Sequence, residues 1–109
     1  MKIVITSTGD SIENNLDIRF GRCAYFMFYD TESKECELAP NVNRDLDEKA
    51  GFEAVHFIKS KGVEKAVSGV FGIKIKSLMI DAGIQMITFQ REIKVREIIS
   101  LLNHNQIIR

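Results

Sequence analysis

The chain has 109 residues, which is the size of one ordinary domain built around its own hydrophobic core. Its 15 Lys and Arg residues balance 15 Asp and Glu residues, and this zero net charge argues against a dedicated nucleic-acid or membrane-surface protein. No apolar run is long enough to act as a membrane span or a signal peptide, so we expect a cytosolic protein.

The N-terminal part of the chain predicts three strands. Residues 2–6 form a β-branched run typical of a buried strand, and residues 24–30 are apolar and aromatic on both faces. A turn at 31–34 and a more polar strand at 35–39 complete a hairpin whose second strand lies at a sheet edge. The polar residues 7–22 show no period, and so long a loop is either functional or merely mobile.

The C-terminal part alternates helices and strands. Residues 43–61 place apolar side chains on one face of a helix, and the acidic residues Asp45, Asp47 and Glu48 suit the positive end of its dipole. The remaining segments are a strand at 64–68, a turn at 69–72, a helix at 75–82, a strand at 84–89 and a helix at 95–102.

This order of elements predicts the fold class. A hairpin followed by strand–helix units gives a three-layer α/β/α domain with a five-stranded mixed sheet. Right-handed crossovers give the strand order 3-2-1-4-5, with strand 2 antiparallel to the rest. We expect a single domain over residues 1–102 and a C-terminal tail over residues 103–109.

The sheet topology also predicts where a ligand would bind. Open α/β sheets bind ligands beyond the carboxyl ends of their parallel strands, where the long loop, the turn 69–72 and the loop 90–92 meet. Gly69 and Gly72 flank a strand-to-helix turn, and free N–H groups at that helix start would receive an anion. Lys74 and Lys76 would add positive charge. Glycines at such a junction also serve turn geometry alone.

A second candidate cluster ends the long loop. Arg19, Arg22 and Cys23 flank Phe20-Gly21, and two guanidinium groups with a thiol would suit an anionic or thiophilic ligand. Nearby arginines would lower the pKa of the thiol. Alternatively, Arg19 pairs with Asp17 at the surface and Cys23 is a small buried hydrophobic residue.

Motifs for catalysis or metal chelation are missing from the sequence. The predicted hairpin places Cys36 opposite Tyr29, about 20 Å from Cys23, so neither a disulfide nor a two-cysteine chelate fits. The chain has no CxxC, GxSxG, P-loop or GxGxxG motif, and the first strand lacks the carboxylates of a two-metal nuclease. We therefore expect a protein that is not an enzyme.

Four segments of the chain together resemble a known family. They are MKIVITSTGD, RFGRCAYFMFYD, KGVEKAVSG and GVFGIKIKSLMIDAGIQM, and their order and spacing cover residues 1–102. The combination is similar to the dinitrogenase iron–molybdenum cofactor biosynthesis family, with its NifX-like and NifB C-terminal-like domains. The resemblance implies a ribonuclease H-like motif fold.

The same resemblance implies a function. The expected role is non-enzymatic binding or carrying of an anionic iron–sulfur or iron–molybdenum cofactor precursor, in exchange with cofactor-biosynthesis or target proteins. Arg19, Arg22 and the helix start at Gly72 would contact the cluster, and Cys23 would ligate iron. Two alternatives are a ligand-free protein-interaction module, as monomer or weak homodimer, and a metal-dependent nuclease.

Overall fold

The computed structural model describes residues 1–46 and 49–104, which form five strands and three helices. In chain order these are β1 (Lys2–Ser7), β2 (Tyr25–Asp30), β3 (Cys36–Pro40), α1 (Lys49–Ser60), β4 (Val63–Ser68), α2 (Ile73–Ala82), β5 (Gln85–Thr88) and α3 (Val95–Asn103). No helix in this part of the chain combines the length and the apolar character that a bilayer crossing requires.

The strands form one mixed sheet in the order β3-β2-β1-β4-β5. β2 is antiparallel to both of its neighbours, whereas β1, β4 and β5 run parallel. The predicted strand order and directions are therefore confirmed. The hairpin register is confirmed as well, because Tyr29 lies opposite Cys36 and both cysteines are free.

Each face of the sheet carries its own hydrophobic core, because successive side chains of a strand point to opposite sides. From β1, Val4 packs under α1 and α2, while Ile3 and Ile5 pack under α3. All three side chains are fully buried. The sheet is thus the middle layer of three, as the apolar runs on both faces of β1 and β2 predict.

The first helix begins later than predicted. A start at Asn43 is wrong, because residues 42–45 form turns in which the Arg44 N–H donates to the Asn41 carbonyl and the Leu46 N–H to the Asn43 carbonyl. α1 begins at Lys49. The predicted acidic cap residues Asp47 and Glu48, and residues 105–109 of the predicted tail, lie outside the described residues.

The long loop between β1 and β2 is fixed to the rest of the domain. Its backbone makes isolated bridges from Leu16 to the end of β1, from Asn15 to Lys94, and from Arg19 to Val70. The side chains of Leu16 and Phe20 are buried in the cores on opposite faces of the sheet. The segment is therefore an ordered part of the fold and a firm support for whatever binds beside it.

Candidate functional site

A cleft of about 820 Å³ opens at the end of the sheet where the long loop meets the first turns of α1 and α2. Residues 19–22 form one wall, residues 50–52 a second, and the start of α2 a third. The lining residues are Arg19, Phe20, Gly21, Arg22, Ala50, Gly51, Phe52, Val70, Gly72, Ile73, Lys74, Ile75, Ser77 and Leu78.

Backbone pairing and aromatic packing hold two of these walls together. The Val70 N–H donates to the Ile18 carbonyl at 2.6 Å, and the Phe20 N–H donates to the Val70 carbonyl at 3.3 Å. The rings of Phe20 and Phe71, whose centroids are 5.3 Å apart, are both buried. The loop and the strand-to-helix turn are therefore joined through both their backbones and their side chains.

Two glycines allow the backbones to approach each other closely. A Cβ atom on Gly21 would lie 2.9 Å from the Cα atom of Gly51 in α1. A Cβ atom on Gly69 would lie 2.7 Å from the Cα atom of Ile18. Side chains at either position would push the loop away from its neighbours, so these glycines keep the loop close to α1 and to the end of β4.

Arg19 is held beside the cleft by a buried carboxylate. Its Nε lies 3.5 Å from Oδ1 of Asp17, and its side chain remains 55% exposed. The Asp17 carboxylate also accepts the backbone N–H groups of Arg19 and Ala24, at 3.1 and 3.3 Å. The Arg19–Asp17 pair anticipated from sequence exists, but its acidic member is buried rather than at the surface.

Two further cations line the cleft. Nη1 of Arg22 donates to the carbonyls of Arg44 and Leu46, at 2.9 and 2.8 Å, and so joins the loop to the turn before α1. Lys74 is exposed in the first turn of α2. Lys76 is exposed too but does not line the cleft. Among the described lining residues there are three cations and no carboxylate.

The start of α2 adds backbone donors to this wall. Gly72 is its N-cap in an extended conformation, and no side chain caps the helix there. The first N–H groups of a helix have no partner within it, and they carry the positive end of its dipole. Because Gly72 has no side chain and open space around it, an anion can approach these donors directly.

The sequence also identifies the protein's relatives. The family model described as "Dinitrogenase iron-molybdenum cofactor" matches residues 1–105. The chain belongs to this family. No curated protein matches the chain.

Solved structures of two similar proteins share the fold of this family member. The apo form of the orange protein from Desulfovibrio gigas superposes with a TM-score of 0.88 at 25% identity, over 96% of this chain and 88% of that one. A protein from Thermotoga described as a candidate NifB protein of the DUF35 family superposes with a TM-score of 0.82 at 28% identity, over 96% and 89% of the two chains.

Cys23 does not line the cleft of this family member. Its side chain is fully buried, and its Sγ lies 3.8 Å from Nδ2 of Asn41, which also donates to the backbone carbonyls of Gly21 and Cys23. Burial, followed by the negative charge of Asp17, raises the pKa of the thiol to about 12. The expected lowering of this pKa by the arginines is therefore wrong, because the thiol points into the core.

Gly69 also lies outside the cleft. Its carbonyl accepts the Gln90 side-chain amide at 2.8 Å, and it borders a separate pocket of about 260 Å³ with residues 89–92. The structure thus brings six of the eight predicted site residues to the cleft. They are Arg19, Phe20, Gly21, Arg22, Gly72 and Lys74.

The apolar wall of the cleft was not predicted from the sequence. Phe52, Val70 and Ile73 were not predicted as site residues, yet each lines it. A signal was available, since Phe52 lies off the apolar face of its predicted helix and Ile73 lies at the exposed start of the next one. Exposed apolar side chains that cluster in one place indicate a binding surface.

The chemistry of the described residues decides what kind of group fits. Within residues 1–46 and 49–104, no three His, Cys, Asp or Glu side chains are grouped to hold a metal ion. The described lining residues therefore offer no such set of metal ligands. Their cations and backbone N–H groups would recognise the charge of an anionic group.

Proposed function

We propose that this protein binds and carries an anionic metal–sulfur cargo, an iron–sulfur or iron–molybdenum cofactor precursor, without catalysing a reaction on it. The observation that carries the proposal is the convergence of Arg19, Arg22, Lys74 and the uncapped start of α2 on one cleft. Membership of the dinitrogenase iron–molybdenum cofactor family supports the choice of cargo.

Each part of the cleft has a separate task in this proposal. The Lys74 ammonium and the N–H groups that follow Gly72 bind the sulfide face of the cluster from one side. Arg19, oriented by the buried Asp17, binds it from the other. Arg22 contributes charge and holds the turn before α1 in place.

Cys23 has no part in holding the cargo in this proposal, because its side chain is fully buried beside Asn41 and does not line the cleft. Attachment without a protein–metal bond lets the cargo leave whole. This suits exchange with cofactor-biosynthesis or target proteins, which are the proposed partners.

A nuclease is disfavoured by the position of the candidate carboxylates. Asp17 is buried and satisfied by backbone N–H groups, and Asp10 is exposed in the long loop. Two-metal chemistry needs carboxylates clustered around one point, which the described residues do not provide.

Anaerobic titration with tetrathiomolybdate, a metal–sulfide anion with a complete ligand set, tests the proposal. We expect saturable binding to the wild-type protein, followed by visible absorbance and equilibrium dialysis. Lys74→Gln should weaken it by about fivefold, which is the effect of losing roughly 1 kcal/mol from one exposed charge pair. Lys76→Gln is the matched control, because it removes the same charge from the same helix turn outside the cleft.

The native cargo is tested by metal analysis of protein purified without oxygen. We expect bound iron or molybdenum that Arg19→Gln and Lys74→Gln reduce and Cys23→Ala leaves in place. Equal losses in Lys74→Gln and Lys76→Gln would refute the cleft as the site. If the purified protein is metal-free and also fails to bind tetrathiomolybdate, the carrier function itself is refuted.

A further inference from the structure

Three apolar side chains stand in solvent around the cleft. Ile73 is 87% exposed, Val70 54% and Phe52 53%, and all three line the cleft. Single exposed apolar residues are ordinary, but several that converge on one concave site mark a place where apolar surface is buried on binding. A small inorganic anion would use the cationic groups and leave these side chains in water.

The deeper part of the cleft is apolar as well. Ala50, Gly51, Ile75 and Leu78 lie between the exposed rim and the core. Small-molecule sites typically enclose about 300–1,000 Å³ and combine a mainly apolar lining with a few placed polar groups. The cleft, at about 820 Å³, falls within this range of volumes, and its lining is likewise mainly apolar with a few charged groups.

An aromatic surface lies on the α1 side of the cleft. The rings of Phe52 and His56, one helical turn apart, stack at an interplanar angle of 8° with centroids 6.2 Å apart. Both rings are exposed to solvent. A half-exposed ring at the wall of a cleft is a ready partner for another flat aromatic group.

The charges on the lining identify which aromatic ligand this surface suits. Arg19 and Lys74 contribute positive charge, and the described lining residues include no acid to oppose it. A neutral aromatic molecule would make no use of this charge. An aromatic acid would pair with Lys74 and with the exposed part of Arg19, whose Nε already lies 3.5 Å from Asp17.

We infer that the cleft binds an organic anion with an aromatic body. The ring system packs on Phe52, Val70 and Ile73, and its carboxylate or sulfonate lies against Lys74 and Arg19. This ligand class is additional to the metal–sulfur cargo, and the inference stands on the apolar wall whether or not the cargo binds.

The probe is 8-anilinonaphthalene-1-sulfonate, whose fluorescence rises when it leaves water. We expect saturable one-to-one binding to the native protein. Phe52→Ser and Ile73→Ser should each weaken it by at least about fivefold, because each removes a large apolar contact. Ile80→Ser is the matched control, since Ile80 is 70% exposed on the same helix but outside the cleft. The changed side chains are exposed, and thermal unfolding checks that each variant is folded.

The role of charge is tested with N-phenyl-1-naphthylamine, which has the same rings and no sulfonate. Lys74→Gln should weaken the sulfonate by about fivefold and leave the neutral probe unchanged, because only the anion pairs with the ammonium. Equal sulfonate affinity in Ile73→Ser and Ile80→Ser would overturn the inference. So would binding of many probe molecules per chain.

Tetrathiomolybdate measured on the same variants separates the two proposals. Sulfonate binding by metal-free protein that does not bind thiomolybdate supports the organic ligand and refutes the metal–sulfur cargo. Thiomolybdate binding with no sulfonate binding supports the metal–sulfur cargo and refutes the organic ligand. If both bind, Ile73→Ser should weaken the sulfonate alone, and equal weakening of both would overturn a separate role for the apolar wall.

Discussion

Chemical modification of Cys23 is the sharpest test of the geometry beneath the cleft. The perturbation is alkylation of the Cys36→Ser variant, in which Cys23 is the remaining thiol. Cys36 is exposed on the edge strand β3, so its replacement leaves the core unchanged. Only the thiolate form attacks an alkylating reagent, so the reaction reports both the charge state and the accessibility of Cys23.

The expected protection follows from the pKa of the thiol. A rise from the ordinary 9.0 to about 12 reduces the thiolate fraction near pH 8 about 1000-fold, equivalent to about 4 kcal/mol. Complete burial slows the reaction further, because the reagent must wait for local opening of the structure. We therefore expect native Cys23 to react about 1000-fold more slowly than the same residue in denaturant.

The assay is iodoacetamide labelling followed by intact mass, for native and denatured Cys36→Ser and for the wild-type protein. The wild-type protein should gain one label while native and a second only after unfolding. Native labelling of Cys36→Ser within about tenfold of the denatured rate would refute the buried, protonated thiol. It would also restore Cys23 as a candidate metal ligand.

Three further predictions concern stability. The pKa of Cys23 is raised in the folded state, so its contribution to the free energy of unfolding is complete below pH 9 and is lost as the pH rises toward 12. Over this range the free energy of unfolding of the wild-type protein should fall by up to about 4 kcal/mol more than that of Cys23→Ala. Parallel pH profiles of the two proteins would contradict this. Gly21→Ala should destabilise the protein by about 1–3 kcal/mol, because the added Cβ meets the backbone of α1. Gly51→Ala should stay within about 1 kcal/mol of the wild type, because its Cβ meets only the flexible Ile75 side chain. Urea unfolding measures both, and a larger loss of stability in Gly51→Ala than in Gly21→Ala would show that the loop moves freely. In the same assay, Phe20→Ala should lower the free energy of unfolding by about 3–5 kcal/mol, because the ring is buried. Phe52→Ala should lower it by under about 1 kcal/mol, because that ring is half-exposed. Similar losses in the two variants would disprove the burial of Phe20 in the core.

The sheet could be predicted because its sequence signals are local. Apolar runs on both faces of β1 and β2 require a central sheet with two covering layers, and handedness rules then order the strands. The register of Cys36 opposite Tyr29 follows from the length of the turn between them. Nothing distant is needed for these conclusions.

The start of α1 could not be predicted because distant contacts determine it. The turns after β3 are held by the Arg22 side chain, which reaches the carbonyls of Arg44 and Leu46 from about twenty residues earlier. Asn41 reaches back to the carbonyls of Gly21 and Cys23 in the same way. These bonds cannot be derived from the helix propensity of residues 43–46, and the tertiary contacts override that propensity.

The cationic residues of the candidate site could be predicted from the sequence, whereas its apolar lining could not. Topology alone brings the loop after β1 and the start of α2 to one edge, so Arg19, Arg22 and Lys74 meet there as expected. Cys23 stands beside Arg22 in the chain, but its side chain points into the core beside Asn41. Adjacency in sequence does not decide on which side of a backbone a side chain lies.

The anchored loop between β1 and β2 has a further consequence for how binding proceeds. Backbone N–H groups of the loop donate to carbonyls elsewhere in the fold: that of Leu16 to the Ile93 carbonyl at 2.8 Å, and that of Asp17 to the Thr6 carbonyl at 2.9 Å. These protons should exchange with deuterium as slowly as those of the strands, although they belong to a connection rather than to the sheet. A ligand therefore meets a wall that is already ordered, and little conformational entropy is lost when it arrives.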